Sequence, residues 1–365
     1  MKKELFKNTY KRYEEIIKDF PYYIREYLQR NETTRSINTL YNYAIDFSIF
    51  LNWILAEGLY TGEVKDMPPS ILEELSEIDI DNFRRHIINK RDNKDVSVAR
   101  KISALRKLFG YLAKGPGGKD NVPYITYNVM QDIEVNRKNI DAKARMTVLS
   151  KKILKTYDDF YTFQEYVASE FGEEFRDNKK LMYNYRINRE RDVAIISLLL
   201  ASGLRLSELV GLNVDEVDLN TCECFIEGKG NTETVVEFSK FALEPLREYI
   251  AIRDGRYDLP KNFQPLFVSS QKPHGRMTQR AVQLCVEKYA KAFGIKDMSV
   301  HKLRHSFATE YYLRTGDIIG LKTQLRHSSI ETTNLYTQLD KSERRKNLDG
   351  GIEQYKNKMN GVRSD

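Results

Sequence analysis

Apolar residues in the first third of the chain recur every three or four positions, the spacing of a helix with one buried face. The clearest run is Ile37, Leu40, Tyr41, Ala44, Phe47, Leu51 and Ile54, opened by Ser36 as an N-cap and closed by Gly58. Before it, Phe20-Pro21-Tyr22-Tyr23-Ile24 forms an apolar knot between two shorter helices. Pro68-Pro69-Ser70 interrupts the pattern, and helices over about 70–75 and 79–90 follow. Ser97 can cap the next helix, which runs to Ala113 before Lys114-Gly115-Pro116-Gly117-Gly118. Ile102, Leu105, Phe109 and Leu112 form its apolar face. Arg100, Ser103, Lys107 and Lys114 fall on a different face, with Lys101 and Arg106 flanking.

The Gly/Pro-rich stretch 115–123 is the clearest punctuation in the chain, and the polar segment after it reads as a linker. The pattern therefore predicts a helical domain over 1–115, a linker over 116–147, a second domain over 148–340 and a charged tail over 341–365. The second domain opens with a helix-like stretch at 150–170, and the charged segment 173–178 reads as an exposed loop. Val193, Ile196, Leu199 and Leu200 mark a buried helix that stops at Gly203, and a short helix begins at Leu204. The one strand-rich region is 214–238. There, 222–226 and 234–238 flank Gly228-Lys229-Gly230-Asn231 as a hairpin and its turn. Helical patterns return at 240–253 and 277–293 and dominate to the end, with a possible short helix at 352–359. The fold class is mainly α with a small antiparallel β-sheet in the second domain.

Composition adds three points. A length of 365 residues with 41% hydrophobic positions suits two domains. A net charge of +7 and a pI near 9.0 favour phosphates and other anions as partners. The mean hydropathy of -0.57, the charged N-terminus and the shortness of the apolar run 193–201 point to a cytoplasmic protein that no membrane holds. The three cysteines form no CxxC pair and read as free thiols.

The candidate chemistry is spread over the second domain. Arg205 follows the glycine that ends a buried helix. Its apolar neighbours imply partial burial, so it needs an anion or a carboxylate, and Glu208 is the natural partner. Taken alone, this segment is better explained by a plain structural Arg–Glu pair. Lys229, at the tip of the Gly-Lys-Gly turn, can reach a phosphate or a leaving oxygen, although a solvated turn lysine is the default. His301 and Arg304, at i and i+3, share a face near a helix N-terminus and can grip one anion with two kinds of donor. His305 falls elsewhere on that helix and reads as a packing or capping residue. His327 ends one helix, and Tyr336 follows nine residues later on the next.

Two arginines and one or two histidines can neutralise the crowded, negatively charged transition state of a phosphodiester under attack. A tyrosine hydroxyl, with a pKa near ~10, needs help to attack at neutral pH, and a mobile lysine can protonate a leaving 5′-oxygen. Metal-dependent nuclease chemistry would instead need clustered carboxylates, and ATP a GxxxxGK[ST] loop; neither pattern stands out. Neither a metal nor a cofactor is expected. The helix carrying Arg100, Lys101, Ser103 and Lys107 could lie along a nucleic-acid groove, or present an ordinary solvated face on a bundle.

These segments together resemble the tyrosine recombinase (integrase) family. The match is to 201–209 (Ala-Ser-Gly-Leu-Arg-Leu-Ser-Glu-Leu), 228–231, 301–309 (His-Lys-Leu-Arg-His-Ser-Phe-Ala-Thr), His327-Ser328-Ser329 and Tyr336, in order and spacing over roughly 150 residues. The resemblance implies a two-domain C-shaped clamp, a helical core-binding domain plus a catalytic domain, closed around a duplex DNA recombination site. It implies that Arg205 and Arg304 hold the scissile phosphate and that His301 is the acid/base partner. His327 would be a further phosphate ligand, Lys229 the general acid, Tyr336 the nucleophile and Glu208 a support for Arg205. It also implies a homo-tetramer on two sites, a monomer or dimer when free, a C-terminal segment docked on a neighbour, and possibly an accessory DNA translocase.

The first 35 residues look short for the extra arm-binding domain of large integrases, which favours resolution of chromosome dimers. An integrase of a phage or mobile element, a type IB topoisomerase and a non-catalytic DNA-binding protein are the rivals. One departure stands out. The family usually has glycine immediately before the third-motif histidine, where this chain has Arg326. A left-handed C-cap there would have to carry a side chain.

Overall fold

The computed structural model describes residues 2–89, 95–117, 121–134, 153–227, 233–326 and Tyr336. The chain divides into two compact units, Met1–Asn139 and Ile140–Asp365.

The first unit is helical: α1 (Lys2–Ile17), α2 (Tyr22–Arg30), α3 (Ile37–Ala56), α4 (Pro69–Glu73), α5 (Glu77–Asn89) and α6 (Asp95–Lys114). Pro21 occupies the N-cap of α2, where its missing N–H costs nothing. The Ser36 hydroxyl accepts the Thr39 N–H and starts α3. Leu40, Ala44, Phe47, Leu51 and Ile54 of α3 meet Ile102, Leu105, Phe109 and Leu112 of α6 in one core. Each such side chain contributes ~1.5–3 kcal/mol on full burial.

Three details differ from the pattern. Helix α6 begins at Asp95, so Ser97 lies inside it rather than capping it. In the stretch expected as linker, Ile125, Val129, Met130 and Ile133 join this helical core. Tyr124 further ties that stretch to α2, donating to Glu26 at 2.5 Å. The remainder, 135–147, lies outside the described residues. Lys101 is the third: it turns inward at 6% exposure and donates to Asp46 at 3.2 Å.

The second unit starts with α7 (Tyr157–Glu165), capped reciprocally by Thr156 and Asp159. A π-type turn (Tyr166–Glu170) leads into α8 (Phe171–Glu174). The long helix α9 (Lys179–Ser202) starts well before Arg191, because the Asn178 side chain accepts the Leu181 N–H and caps it. In the charged segment 173–178, Glu173 and Glu174 end α8, 175–177 form a turn and Asn178 is the cap, so the expected exposed loop is a short turn between two helices. From Arg191 to Ser202 every residue of α9 is buried, which makes it the central helix of the unit. Within it, Asp192 is enclosed by Arg191 at 2.7 Å, Tyr289 at 2.9 Å and Lys288 at 3.3 Å.

The remaining elements are α10 (Leu206–Gly211), β1 (Val217–Asp218), β2 (Glu223–Glu227), β3 (Glu233–Glu237), α11 (Leu243–Arg256), α12 (Gln279–Ala292), α13 (Val300–Thr315) and α14 (Ile318–Leu325). The described strands form one antiparallel sheet in the order β1-β2-β3, with Phe225 opposite Val235. Cys224, Ile226 and Val236 face the core, while Phe225 and Val235 are exposed. The architecture is mostly helical with a small antiparallel sheet, as the pattern predicts. Among the described residues no helix is long and apolar enough to cross a membrane.

Candidate functional site

The site is built where the end of α9 meets α13 and α14. Helix α9 stops at Gly203, which is left-handed at φ 66° and ψ 24°. A Cβ there would stand 2.5 Å from Phe307 Cδ1 and 2.9 Å from Leu325 Cδ2. Glycine is thus required twice, by the turn and by the close approach of two helices.

Arg205 is the N-cap of α10. Its backbone N–H donates to Glu208 Oε2 at 2.7 Å, and its guanidinium donates to Glu208 Oε1 at 2.9 Å. A second guanidinium nitrogen reaches the Arg326 carbonyl at 3.0 Å. Arg205 is exposed, not partly buried: its apolar neighbours point into the core while the cap position itself faces out.

Arg304 is the buried arginine, 4% exposed. Its guanidinium donates to the carbonyls of Gly203 and Leu325, one at the end of α9 and one at the end of α14. Burial first, then Arg205 and Arg326, push it down to about 10, against the opposing pull of Glu208 and Tyr336.

Arg326 closes α14 in the left-handed region, at φ 52° and ψ 46°. The glycine-like conformation is kept and the side chain is put to use: it donates to Glu208 Oε2 at 2.6 Å. Glu208 therefore sits between two guanidiniums. Its burial would raise its pKa, but the Arg205 amide and the Arg326 and Arg205 charges outweigh that and hold it below the usual carboxylate range. Among the described residues three guanidiniums gather here near one carboxylate, Glu208, which leaves an excess of positive charge. A phosphodiester would supply a counter-ion.

His301 stands in the first turn of α13 with an exposed edge. Partial burial, Arg304 and Arg205 all hold it below the ordinary histidine range, so it is neutral at neutral pH until an anion arrives. His305 corrects the sequence reading. At i+4 it lies one turn from His301 on the same face, and the two rings meet edge to face with centroids 4.5 Å apart. Its Nδ1 is 2.6 Å from the hydroxyl oxygen of Tyr336. Tyr336 is 1% exposed and packs with Ile153, Phe307, Ala308, Leu321 and Leu325. Burial pushes its hydroxyl above the usual tyrosine range, against a smaller opposite pull from Arg304.

Arg205, Glu208, Arg304, His301 and Tyr336 are thus brought to one region of the second unit. Lys229, His327 and the tail 341–365 lie outside the described residues. Residues missed from the sequence are His305, whose i+4 spacing from His301 was the available signal, and Arg326 as a partner of Glu208.

On α6, Arg100, Lys107 and Lys114 are exposed, and Ser103 is half-buried between them. Arg100 also pairs with Asp46, Lys107 donates to the Tyr43 hydroxyl at 2.9 Å, and Ser103 donates to the Ala99 carbonyl. Lys101 is withdrawn from this face by the buried carboxylate of Asp46. Among the described residues no group of three or more His, Cys, Asp or Glu side chains is arranged to hold a metal.

The family model "Phage integrase family" matches residues 174–343. Tyrosine recombinase XerS of Streptococcus mutans is 33% identical over 348 residues, 92% of this chain and 97% of the relative. XerS of Lactococcus lactis subsp. cremoris is 30% identical, covering 90% and 95%. Among solved structures, XerH recombinase bound to a palindromic difH substrate superposes with a TM-score of 0.61 at 20% identity, covering 86% of this chain and 80% of that one. A lambda integrase dimer bound to a COC′ core site gives 0.57 at 15% identity, covering 88% and 95%.

Proposed function

This chain belongs to the tyrosine recombinase (phage integrase) family, whose members cleave and rejoin DNA, and we propose that it recombines two copies of a specific duplex site through a 3′-phosphotyrosyl bond to Tyr336. The observation that carries the reading is the gathering of Arg205, Arg304 and His301 with Tyr336 around an excess of positive charge.

In this mechanism the carbonyls of Arg326, Gly203 and Leu325 hold Arg205 and Arg304 in place while their remaining N–H groups donate to the non-bridging oxygens of the scissile phosphate. Glu208 keeps Arg205 oriented. His301 gains a proton partner as the anion raises its affinity for protons, and His327 adds a further donor. Lys229, which falls between β2 and β3 in sequence, protonates the leaving 5′-oxygen. No energy source is consumed, since the phosphotyrosyl bond conserves the energy of the phosphodiester it replaces.

The XerS relatives favour a Xer-type recombination site as the substrate, and dimer resolution is the role inferred from that likeness. Four protomers would act on two sites, with 341–365 docked on a neighbour, the helical unit Met1–Asn139 as the core-binding domain, and a DNA translocase as the accessory partner. The exposed face of α6, with Arg100, Ser103 and Lys107, would contact the duplex backbone.

A nicked suicide substrate tests the chemistry: wild-type protein forms a covalent adduct and Tyr336→Phe forms none. An adduct with Tyr336→Phe, or none with wild type, sinks the reading. Recombination between two plasmid-borne sites, rather than relaxation alone, separates it from a topoisomerase. Neutralising Arg100 or Lys107 should lower the salt slope of DNA binding by about one counter-ion each. An unchanged slope returns that face to solvent.

A further inference from the structure

We propose that His305, through Nδ1, accepts the proton of the Tyr336 hydroxyl as that oxygen attacks phosphorus. The inference rests on Tyr336 being the nucleophile. His305 is then a catalytic residue, in direct contact with a reacting atom.

The contact itself is the first argument: an imidazole nitrogen lies 2.6 Å from the phenol oxygen, short for an O–H···N bond. The second is enclosure. Tyr336 is 1% exposed among Ile153, Phe307, Leu321 and Leu325, so apolar packing screens its hydroxyl from water on the side where His305 Nδ1 meets it. The third is the division between two imidazoles that meet edge to face. His301 stands under the influence of Arg304 and Arg205, on the phosphate side, while His305 holds the tyrosine. Among the described residues, the charged and titratable groups of this site are His301 and Arg304 on α13, Arg205 and Glu208 on α10 and its cap, and Arg326 at the end of α14. Burial and the Arg304 and Arg205 charges hold His301 below the ordinary histidine range, and an arriving phosphate would offset those charges beside the pair.

The step balances as follows. His305 begins neutral, with its proton on Nε2. The Oη–H bond of Tyr336 breaks as the Oη–P bond forms, and the proton passes to Nδ1. The P–O5′ bond breaks, and O5′ takes a proton from Lys229. In rejoining, the 5′-hydroxyl gives its proton back to Lys229 as O5′ attacks phosphorus, the Oη–P bond breaks, and His305 returns its proton to the departing phenolate.

His305→Asn tests this, because the Asn carbonyl oxygen falls close to the place of Nδ1 and can accept the hydrogen bond without taking the proton. The substrate is a nicked suicide duplex, made in two forms: an ordinary scissile phosphate, and a 5′-bridging phosphorothiolate whose thiol leaving group needs no protonation. In single turnover, His305→Asn should cleave on the order of 10²-fold slower on both substrates. It should also lose the acid limb of the pH profile while DNA binding is unchanged. Lys229→Ala should be slow only on the oxygen substrate.

Two results overturn the proposal: a His305→Asn rate within threefold of wild type with the acid limb intact, or a faster rate, which would make the contact a latch. If His305→Asn folds poorly, His305→Ala with added imidazole decides. Rescue that follows the neutral form of imidazole supports the proposal, and absence of rescue overturns it. Adduct formation by Tyr336→Phe would instead defeat the assignment of the nucleophile, and the wild-type control separates the two failures.

Discussion

Arg326 is a non-glycine residue holding a glycine conformation, and substituting it separates two energies that oppose each other. Its φ of 52° and ψ of 46° cost an L-residue about 1 kcal/mol relative to glycine. Against that stands the 2.6 Å bond to Glu208, between side chains 17% and 13% exposed. A fully buried pair costs ~3–5 kcal/mol to break from one side, an exposed one ~0–1. Here Glu208 keeps two bonds from Arg205, so it is never left bare, and ~1–2 kcal/mol is the appropriate loss.

Arg326→Gly should then be nearly neutral, because relief of the backbone offsets the lost pair. Arg326→Ala keeps the strain and loses the pair, and should fall about 1 kcal/mol below the glycine variant. Urea unfolding followed by far-ultraviolet circular dichroism reads the difference. Tryptophan fluorescence would not, since the only tryptophan, Trp53, lies in the other unit. A double-mutant cycle with Glu208→Gln should return a coupling of ~1–2 kcal/mol. Equal stabilities for the alanine and glycine variants, or a coupling near zero, would refute the reasoning.

Gly203→Ala should cost ~2–4 kcal/mol, combining the positive φ with overpacking against Phe307, and cleavage should fall with it because the Gly203 carbonyl holds Arg304; an unchanged unfolding midpoint would contradict this. Asp192→Asn should cost ~3–5 kcal/mol by leaving Arg191 and Lys288 without their carboxylate, read as the lowered midpoint of the second unit's transition. His301 has a folded-state pKa below its unfolded value of ~6.5, so the unfolded chain binds more protons and stability contributed by neutral His301 is full above that value and lost as pH falls through it. Stability should therefore decline more steeply from about pH 7 to 5 in wild type than in His301→Gln, and DNA binding near pH 6 should take up protons; a matching slope in the two proteins counts against this.

Much of the fold was legible because the signals are local. Ser36, Pro21 and Gly203 act within four residues of themselves, and the buried faces of α3 and α6 follow from a period of 3.6. Arg205 and Glu208, three apart, also pair as their spacing predicts. The start of α9 was hidden because a charged surface turn and a polar cap look alike in sequence. The inward turn of Lys101 was hidden because its cause, Asp46, lies 55 residues away.

The sequence by itself determined the helices, the hairpin strands and the order in which arginines, histidines and tyrosine occur. Those depend on periodicity and capping within a few turns. Only the tertiary structure decided what each group touches. Arg304 finds the Gly203 carbonyl 101 residues before it, Arg326 finds Glu208 across 118 residues, and His305 meets Tyr336 across 31. Such contacts are set by how α9, α13 and α14 pack on one another. One residue read as packing thereby comes to hold the hydroxyl of the proposed nucleophile.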